Sequence, residues 1–125
     1  DIGEHMTGGE LYDVLSELGA ELLVKTLKDI ESGAAVRIKQ DESKSSYYPP
    51  LSRELGRIDW NKPAKEIYNL VRALDPVMGT FARIGGDTIK VWSASVLPGS
   101  AEPGRLVFAD AKRGLVVERE KNCCV

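Results

Sequence analysis

Four basic residues surround one tryptophan near the middle of this 125-residue sequence. Arg53 and Arg57 precede Trp60, and Lys62 and Lys65 follow it. A guanidinium group can hold a phosphate through two parallel hydrogen bonds, so this stretch could bind a phosphate-bearing partner. Ion pairs with nearby carboxylates are the alternative for the arginines, and simple solvation is the alternative for the lysines. The residue types alone leave both interpretations open.

Two further basic residues, Arg83 and Lys90, fall where the sequence is strand-like, and they would add positive charge to the surface of a sheet. The net charge of −2 conceals an asymmetry: residues 1–31 hold eight acids and two bases, whereas the remainder holds eleven acids and fifteen bases. Such segregation hints at a polyanion partner for the basic part. An unevenly charged, solvated surface would give the same counts.

Other chemistries have little support. The cysteines are adjacent, Cys123-Cys124, and no spaced pair is present to hold zinc, so we expect free thiols and no metal site. The only histidine, His5, precedes the first predicted helix and is expected at the surface. No apolar run approaches the ~18 residues of a membrane span, and the N-terminus lacks the order of a secretory signal. These features predict a cytoplasmic protein without a membrane partner.

The first predicted element is a long amphipathic helix. Thr7 and Glu10 have the spacing of a capping box, and Ser32-Gly33 is a stop signal. Between them, apolar residues recur at helical spacing: Leu11, Val14, Leu15, Leu18, Leu22, Leu27 and Ile30. Such a helix cannot cover its own apolar face, so it needs a partner, and a homodimer is one way to supply it.

A linker and a second helix follow. Residues 33–57 are largely polar and contain prolines that favour extended backbone, which predicts a linker. The spacing of apolar residues predicts a helix over 62–74, with Pro63 in its first turn and Asp59 or Asn61 as its cap. The chain up to this point is therefore expected to be helical or extended.

The remainder of the chain has the pattern of β-structure. Gly85-Gly86 is a tight-turn signal, so a hairpin is predicted from a strand over 81–84 into one over 88–97. Two more strands are predicted over 106–109 and 115–118. Four strands are few for a closed barrel, so an incomplete one is expected. The predicted fold class is α+β: an N-terminal helix, an extended linker, a second helix and a small antiparallel β-barrel.

With these elements in place, the sequence resembles the methionyl-tRNA formyltransferase family. The resemblance rests on the order and spacing of several short motifs, because each motif alone is weak. The motifs are Thr7-Gly8-Gly9-Glu10-Leu11, Leu18-Gly19-Ala20-Glu21-Leu22-Leu23, Gln40-Asp41-Glu42-Ser43, Leu51-Ser52 with Glu54, Gly56-Arg57-Ile58-Asp59-Trp60, Glu66-Ile67 with Leu70-Val71-Arg72-Ala73, and Asp75-Pro76 with Gly79.

The resemblance implies three parts. Residues 1–32 would be the terminal helix of an otherwise absent formyltransferase catalytic domain, 33–57 a linker, and 58–125 a C-terminal barrel that resembles an OB-fold. The family's catalytic Asn, His and Asp belong to an earlier part of its catalytic domain. No position here matches them, and His5 does not correspond to the catalytic histidine. No catalytic residue is therefore predicted in this chain.

The family transfers a formyl group from 10-formyltetrahydrofolate to the amino group of initiator methionyl-tRNA. The resemblance implies this activity for a parent enzyme, with tRNA as the partner of this chain, no cofactor bound by the chain itself and no activity of the chain alone. The RNA-binding candidates are then Arg53, Arg57, Lys62, Lys65, Arg83 and Lys90. A structural junction is expected from Asp59, Trp60, Arg72, Pro76 and Gly79, with Arg72 pairing with Asp59 or Asp75. Trp60 and Trp92 are expected in the core rather than as stacking platforms for bases.

Three departures from the family pattern keep an alternative open. Val77-Met78 stands where members often have Trp-Pro, Pro50 stands where many have a lysine that could contact RNA, and the residues after 120 match no strand of the family. Formyltransferases that act on amino sugars, and formyl-folate hydrolases, share the Ile-Asp-Trp signature. The alternative is therefore the accessory barrel of a sugar-modifying or formyl-folate-using relative, an interaction module without RNA binding.

Overall fold

The computed structural model describes residues 1–98, 106–110, 114–117 and 122–124. Its two α-helices and six strands, in chain order, are α1 (Gly8–Glu31), α2 (Ala64–Leu74), β1 (Thr80–Ile84), β2 (Asp87–Val91), β3 (Val96–Pro98), β4 (Leu106–Asp110), β5 (Gly114–Val117) and β6 (Asn122–Cys124). In these residues the strands form a two-stranded sheet, β1-β2, and a four-stranded sheet in the order β3-β6-β5-β4. The predicted α+β fold with an incomplete barrel is confirmed.

The boundaries of α1 follow from its capping residues, as the sequence predicts. The Thr7 hydroxyl accepts from the Glu10 backbone N–H at 3.2 Å, and the Glu10 carboxylate accepts from the Thr7 N–H at 2.8 Å. This reciprocal capping box satisfies two backbone donors at the start of the helix. At the other end Ser32 is the C-cap, and Gly33 follows with a φ of 74°. None of the residues of α1 is buried, and its apolar face is exposed from Val14 to Ile30.

The second helix begins later than predicted, and the predicted caps are wrong. Pro63 is the N-cap of α2, and its carbonyl accepts from the backbone N–H groups of Glu66 and Ile67 at 2.9 and 3.0 Å. The Asp59 carboxylate instead accepts from the backbone N–H and side-chain amide of Asn61, at 3.0 and 2.9 Å. Asp59 therefore closes a separate Asx turn before the helix rather than capping it.

The core forms between α2 and the strands. The buried stripe of α2 consists of Ala64, Ile67, Val71 and Leu74, and the helix contacts β1, β3 and β6. Ile58 and Ala82 complete one apolar cluster with the first three of these residues. Burying each large aliphatic side chain contributes roughly 1.5–3 kcal/mol, so this cluster fixes α2 on the sheets.

The hairpin between β1 and β2 matches the prediction, but the strand expected over 88–97 is divided. Gly85 and Gly86 have φ values of 59° and 98°, as the tight turn requires. β2 ends at Val91 because its pairing partner β1 begins at Thr80, opposite Val91. The chain then changes sheets, and β3 pairs with β6. No strand was predicted from the sequence over the residues of β6.

Candidate functional site

The hairpin has two unlike faces because side chains alternate along each strand. Thr80 and Ala82 lie on the inward face and are 1% exposed, and Val91, paired with Thr80, is half-buried. Phe81 and Arg83 lie on the outward face. Their cross-strand partners, Lys90 and Thr88 respectively, share that face. Two basic side chains predicted to bind RNA, Arg83 and Lys90, are thereby placed on one surface.

Arg57 extends this surface by one further strand-like segment. It forms a parallel bridge with Phe81, and the backbone N–H of Ile58 donates to the Phe81 carbonyl at 2.8 Å. Gly56 permits the approach, since a Cβ there would lie 2.9 Å from the carbonyl oxygen of Gly79. Arg57 is exposed, whereas Ile58 turns inward and is 5% exposed. Arg57, Phe81 and Lys90 therefore form one row across the outward face.

Arg53 reaches the same surface from the 3-10 turn Arg53–Gly56. With Met78, Phe81 and Lys90 it lines a groove of about 230 Å³. We call the surface formed by Arg53, Arg57, Arg83 and Lys90 the basic face. The three ion pairs found among residues 1–98 involve none of these four side chains. In that part of the chain their positive charge is not neutralised by a contacting carboxylate, as anion binding requires.

Trp92 borders the basic face. The ammonium group of Lys90 lies 5.0 Å from the centroid of its ring, within the range of a cation–π contact. The ring packs against Gly79, where a Cβ would be 2.7 Å from its nearest atom. Trp92 is 45% exposed, so the prediction that it belongs to the core is wrong. Trp60 is half-buried and packs against the apolar cluster.

The two remaining RNA-binding candidates lie on α2 and its approach, and both contact carboxylates. Lys62 lies 4.0 Å from Glu66, and it lines a separate groove with Arg57. Lys65 forms a 2.7 Å ion pair with Glu4, and it lines neither the groove at Arg53 and Lys90 nor the groove at Arg57 and Lys62. The structure thus assembles four of the six candidates on the basic face, places Lys62 beside it and places Lys65 elsewhere.

The junction residues position the basic face rather than forming it. Hydrogen bonds from Asn61, reinforced by the nearby positive charges of Lys62 and Arg57, hold the pKa of Asp59 below its ordinary value. The Asp59 carboxylate is therefore favoured, although it forms no ion pair with Arg57. After α2, the Leu74 carbonyl accepts from the backbone N–H groups of Met78 and Gly79, both at 3.0 Å. The peptide bond between Asp75 and Pro76 is cis, and the turn that contains Pro76 leads directly into β1.

Arg72 has a structural role, but not with the predicted partners. Its Nη1 donates to the backbone carbonyls of Met6 and Gly3, at 2.6 and 3.2 Å, rather than to Asp59 or Asp75. No sequence pattern indicates this contact, because backbone carbonyls are present at every position. His5, predicted to be a surface residue, is exposed, and its Nδ1 lies 2.7 Å from the Tyr68 hydroxyl.

A cavity of about 400 Å³ lies behind the hairpin, against α2, and its lining includes Ile67, Val71 and Ile89. Among its described lining residues, Lys90 alone is titratable. In the described ranges no group of three or more His, Cys, Asp or Glu side chains is placed to hold a metal ion. No helix in those ranges has both the length and the apolar character needed to cross a membrane. This cavity is therefore mainly apolar, unlike the basic face.

These features define an α+β module with an incomplete antiparallel barrel and a basic outer face. A sequence model of the family described as "Formyl transferase, C-terminal domain" matches residues 50–125. The chain belongs to this family.

Curated relatives match nearly the whole chain. A methionyl-tRNA formyltransferase of Carboxydothermus hydrogenoformans is 41% identical over 117 residues, which cover 93% of this chain and 38% of the relative. The methionyl-tRNA formyltransferase of Agathobacter rectalis is 43% identical, covering 92% and 37% respectively. That of Ruminiclostridium cellulolyticum is 39% identical, covering 99% and 39%. The chain thus spans less than two fifths of the length of each of these relatives.

Proposed function

We propose that this chain is the tRNA-binding C-terminal part of a methionyl-tRNA formyltransferase. The parent enzyme would formylate the amino group of initiator methionyl-tRNA with 10-formyltetrahydrofolate, in the cytoplasm and during translation initiation. Residues 1–32 would belong to the catalytic domain, 33–57 to a linker and 58–125 to an OB-like barrel domain. The contribution of this part to the rate would be to position the acceptor end of the tRNA.

The row formed by Arg57, Phe81 and Lys90 is the observation that carries this proposal. Two exposed cations flank a half-buried aromatic ring, and Arg83 and Arg53 add positive charge to the same surface. Such a surface can follow a phosphate backbone without reading base edges. Contacts with the phosphate backbone suit a domain that binds the body of a tRNA while a separate domain carries out the reaction.

The salt dependence of binding tests the proposal. The fluorescence anisotropy of labelled initiator methionyl-tRNA would be titrated with the purified chain over a range of salt concentrations. Each phosphate contact contributes roughly 0.9 to the slope of log K against log salt. Replacing all four residues of the basic face with alanine should therefore lower the slope by about 3–4.

A matched control removes the same charge elsewhere. Alanine at Lys25, Lys28, Lys39 and Lys44 deletes four exposed positive charges from α1 and the linker. This control should retain most of the salt slope. Binding no tighter than that of an acidic control protein at low salt would refute the proposal. We also expect no formyl transfer from the 125-residue chain, and formylation of methionyl-tRNA by it would contradict the assignment of residues 1–32.

The exposed apolar face of α1 favours the second candidate, an interaction module without RNA binding. Leu18, Leu22 and Leu27 are all more than half exposed. An apolar surface of this length is typical of an interface with another protein surface. Under this candidate the basic-face variants would bind tRNA as poorly as the unmodified chain. The homodimer stays a prediction, and sedimentation equilibrium at several concentrations would test it.

A further inference from the structure

The segment Gly3–Gly9 contacts α2 along one continuous stripe, and we call these seven residues the N-terminal clasp. Its partners on α2 are Lys65, Tyr68 and Arg72. These positions are three and four residues apart, so they lie above one another on one face of the helix. The stripe lies beside the buried stripe and leaves the packing of α2 on the sheets intact.

Side chains and backbone both contribute to this contact. Arg72 joins two carbonyls of the clasp, those of Gly3 and Met6, and its Nε donates to Asn69 at 2.9 Å. A guanidinium held by three hydrogen bonds has a fixed direction. The Tyr68 ring lies within 5.9 Å of the Arg72 guanidinium carbon, adding a cation–π contact.

The last two clasp residues contact the backbone at the end of α2. The Gly9 N–H donates to the Asp75 carbonyl at 2.9 Å. A Cβ on Gly9 would lie 2.5 Å from Cδ of Pro76, and a Cβ on Gly8 would collide with the Ala73 carbonyl oxygen. Glycine is needed at both positions because the Ala73 carbonyl and the Pro76 ring leave no room for a side chain. This requirement accounts for the Gly8-Gly9 pair within the motif Thr7-Gly8-Gly9-Glu10-Leu11.

The covalent connection between the helices offers no comparable restraint. Every residue from 33 to 52 is exposed, so this part of the linker has no buried contact that would fix its path, whereas Arg53–Gly56 contacts α2. A flexible linker of this length permits many relative directions of the segments it joins. The direction of α1 relative to α2 is therefore determined by the clasp.

We propose that the N-terminal clasp, and not the linker, holds α1 at a fixed angle to the unit of α2 and the β1–β2 hairpin, with Arg72 as the positioning residue. The angle sets where the apolar face of α1 lies relative to the basic face. This inference does not rest on RNA binding, since it concerns the geometry of the chain alone.

A distance measurement between spin labels tests the clasp directly. With Cys123→Ser and Cys124→Ser as background, Lys28→Cys and Thr88→Cys place one label on the far part of α1 and one on the hairpin. At 1.5 Å per residue, position 28 lies about 30 Å along the helix from Gly8, so a tilt of about 20° moves it by roughly 10 Å. The unmodified clasp should give one narrow distance distribution.

Two variants should disrupt the contacts of the clasp by different means, and a third variant, the control, should leave them intact. Gly8→Ala introduces the backbone collision, and Arg72→Met removes the donors without adding bulk. Each should broaden the distribution or shift its mean by roughly 10 Å. Gly19→Ala is the matched control, because a Cβ there meets nothing within 4 Å and the distance should not change.

The near-ultraviolet circular dichroism of Trp60 and Trp92 reports whether α2 and the hairpin remain folded in each variant. A retained tryptophan signal with an altered distance distribution supports the clasp. Unchanged distributions in both Gly8→Ala and Arg72→Met would overturn it. A broad distribution of label distances in the unmodified chain would also overturn the proposal, because α1 would then have no fixed direction relative to the hairpin.

Discussion

The indole ring of Trp92 lies directly against Gly79, so closely that a Cβ on this glycine would be within 2.7–2.9 Å of three ring atoms. Gly79 also has a φ of 64°, in the left-handed region. Two independent constraints therefore require glycine where the chain passes from α2 into β1. The contact supports the edge of the basic face, because the same ring lies beneath Lys90.

We predict that Gly79→Ala destabilises the fold more than Gly85→Ala does. Both glycines have positive φ, so both changes cost about 1–2 kcal/mol in backbone conformation. Gly85 has open space around it, whereas alanine at position 79 would also displace the Trp92 ring, at roughly 1–3 kcal/mol more. Urea unfolding followed by far-ultraviolet circular dichroism gives both free energies. Equal losses in the two variants would show that the ring contact carries no energy.

Thr80→Val should destabilise the chain although the side chains have similar shapes. Thr80 is 1% exposed, and its hydroxyl donates to the Val91 carbonyl at 2.7 Å. Losing this buried hydrogen bond should lower the free energy of unfolding by about 1–2 kcal/mol. Thr88→Val is the control on the exposed side of the same hairpin and should change it by less than about 0.5 kcal/mol. The prediction fails if the two variants unfold at the same urea concentration.

Acid should release the contact between Glu4 and Lys65. The hydrogen bond from Lys65, together with the positive charge of that residue, holds the pKa of Glu4 below its ordinary value of 4.5. The folded state therefore favours the carboxylate. Its stabilising contribution is present above that ordinary value and is lost as the pH falls through the lowered pKa.

The variant Glu4→Gln should consequently differ from the unmodified chain at about pH 6 and approach it as the pH falls through the lowered pKa of Glu4, when both are compared by urea unfolding. The pKa values of Asp41 and Asp59 are lowered as well, so both proteins lose stability in acid. Glu17→Gln, in the exposed middle of α1, controls for the loss of one negative charge. A difference between Glu4→Gln and the unmodified chain that did not depend on pH would contradict the assignment.

Arg83→Ala and Lys65→Ala should affect tRNA binding differently, although each removes one positive charge. Arg83 lies on the basic face, so its loss should reduce the salt slope by about 1. Lys65 is already paired with Glu4, and its loss should leave the slope nearly unchanged. Anisotropy titrations at several salt concentrations measure both. A larger effect of Lys65 would move the RNA contact from the hairpin to the exposed side of α2.

The predictions from sequence succeeded where a signal is local. The capping box of Thr7 and Glu10 and the turn at Gly85-Gly86 depend on neighbouring residues, and both were recognised. The bridge between Arg57 and Phe81, and the bonds of Arg72 to Met6 and Gly3, join distant segments through backbone groups that every residue possesses. A sequence pattern does not show which backbone carbonyl accepts a hydrogen bond from such a donor.

The division of the strand predicted over 88–97 has a similar cause. Val91 and Val96 continue the apolar alternation, so the pattern gives no sign of the break between them. The break arises because β1 is only long enough to pair with β2 as far as Val91, and Val96 pairs with Cys124 instead. The length of β2 is therefore determined by the length of its partner strand β1. The alternation of apolar and polar residues over 88–97 contains no information about that partner.

The contact of Arg72 with Met6 joins residues that are 66 positions apart. The β1–β2 hairpin, by contrast, needs only a two-residue turn, and closing a long loop costs more conformational entropy than closing a short one. The hairpin can therefore form early during folding, while the ends of the long loop must meet afterwards. In native-state hydrogen exchange, the opening that exposes the Gly9 amide should have a lower free energy than the openings that expose the amides of β1. The chain would then begin to unfold at its first residues while its sheet stays folded.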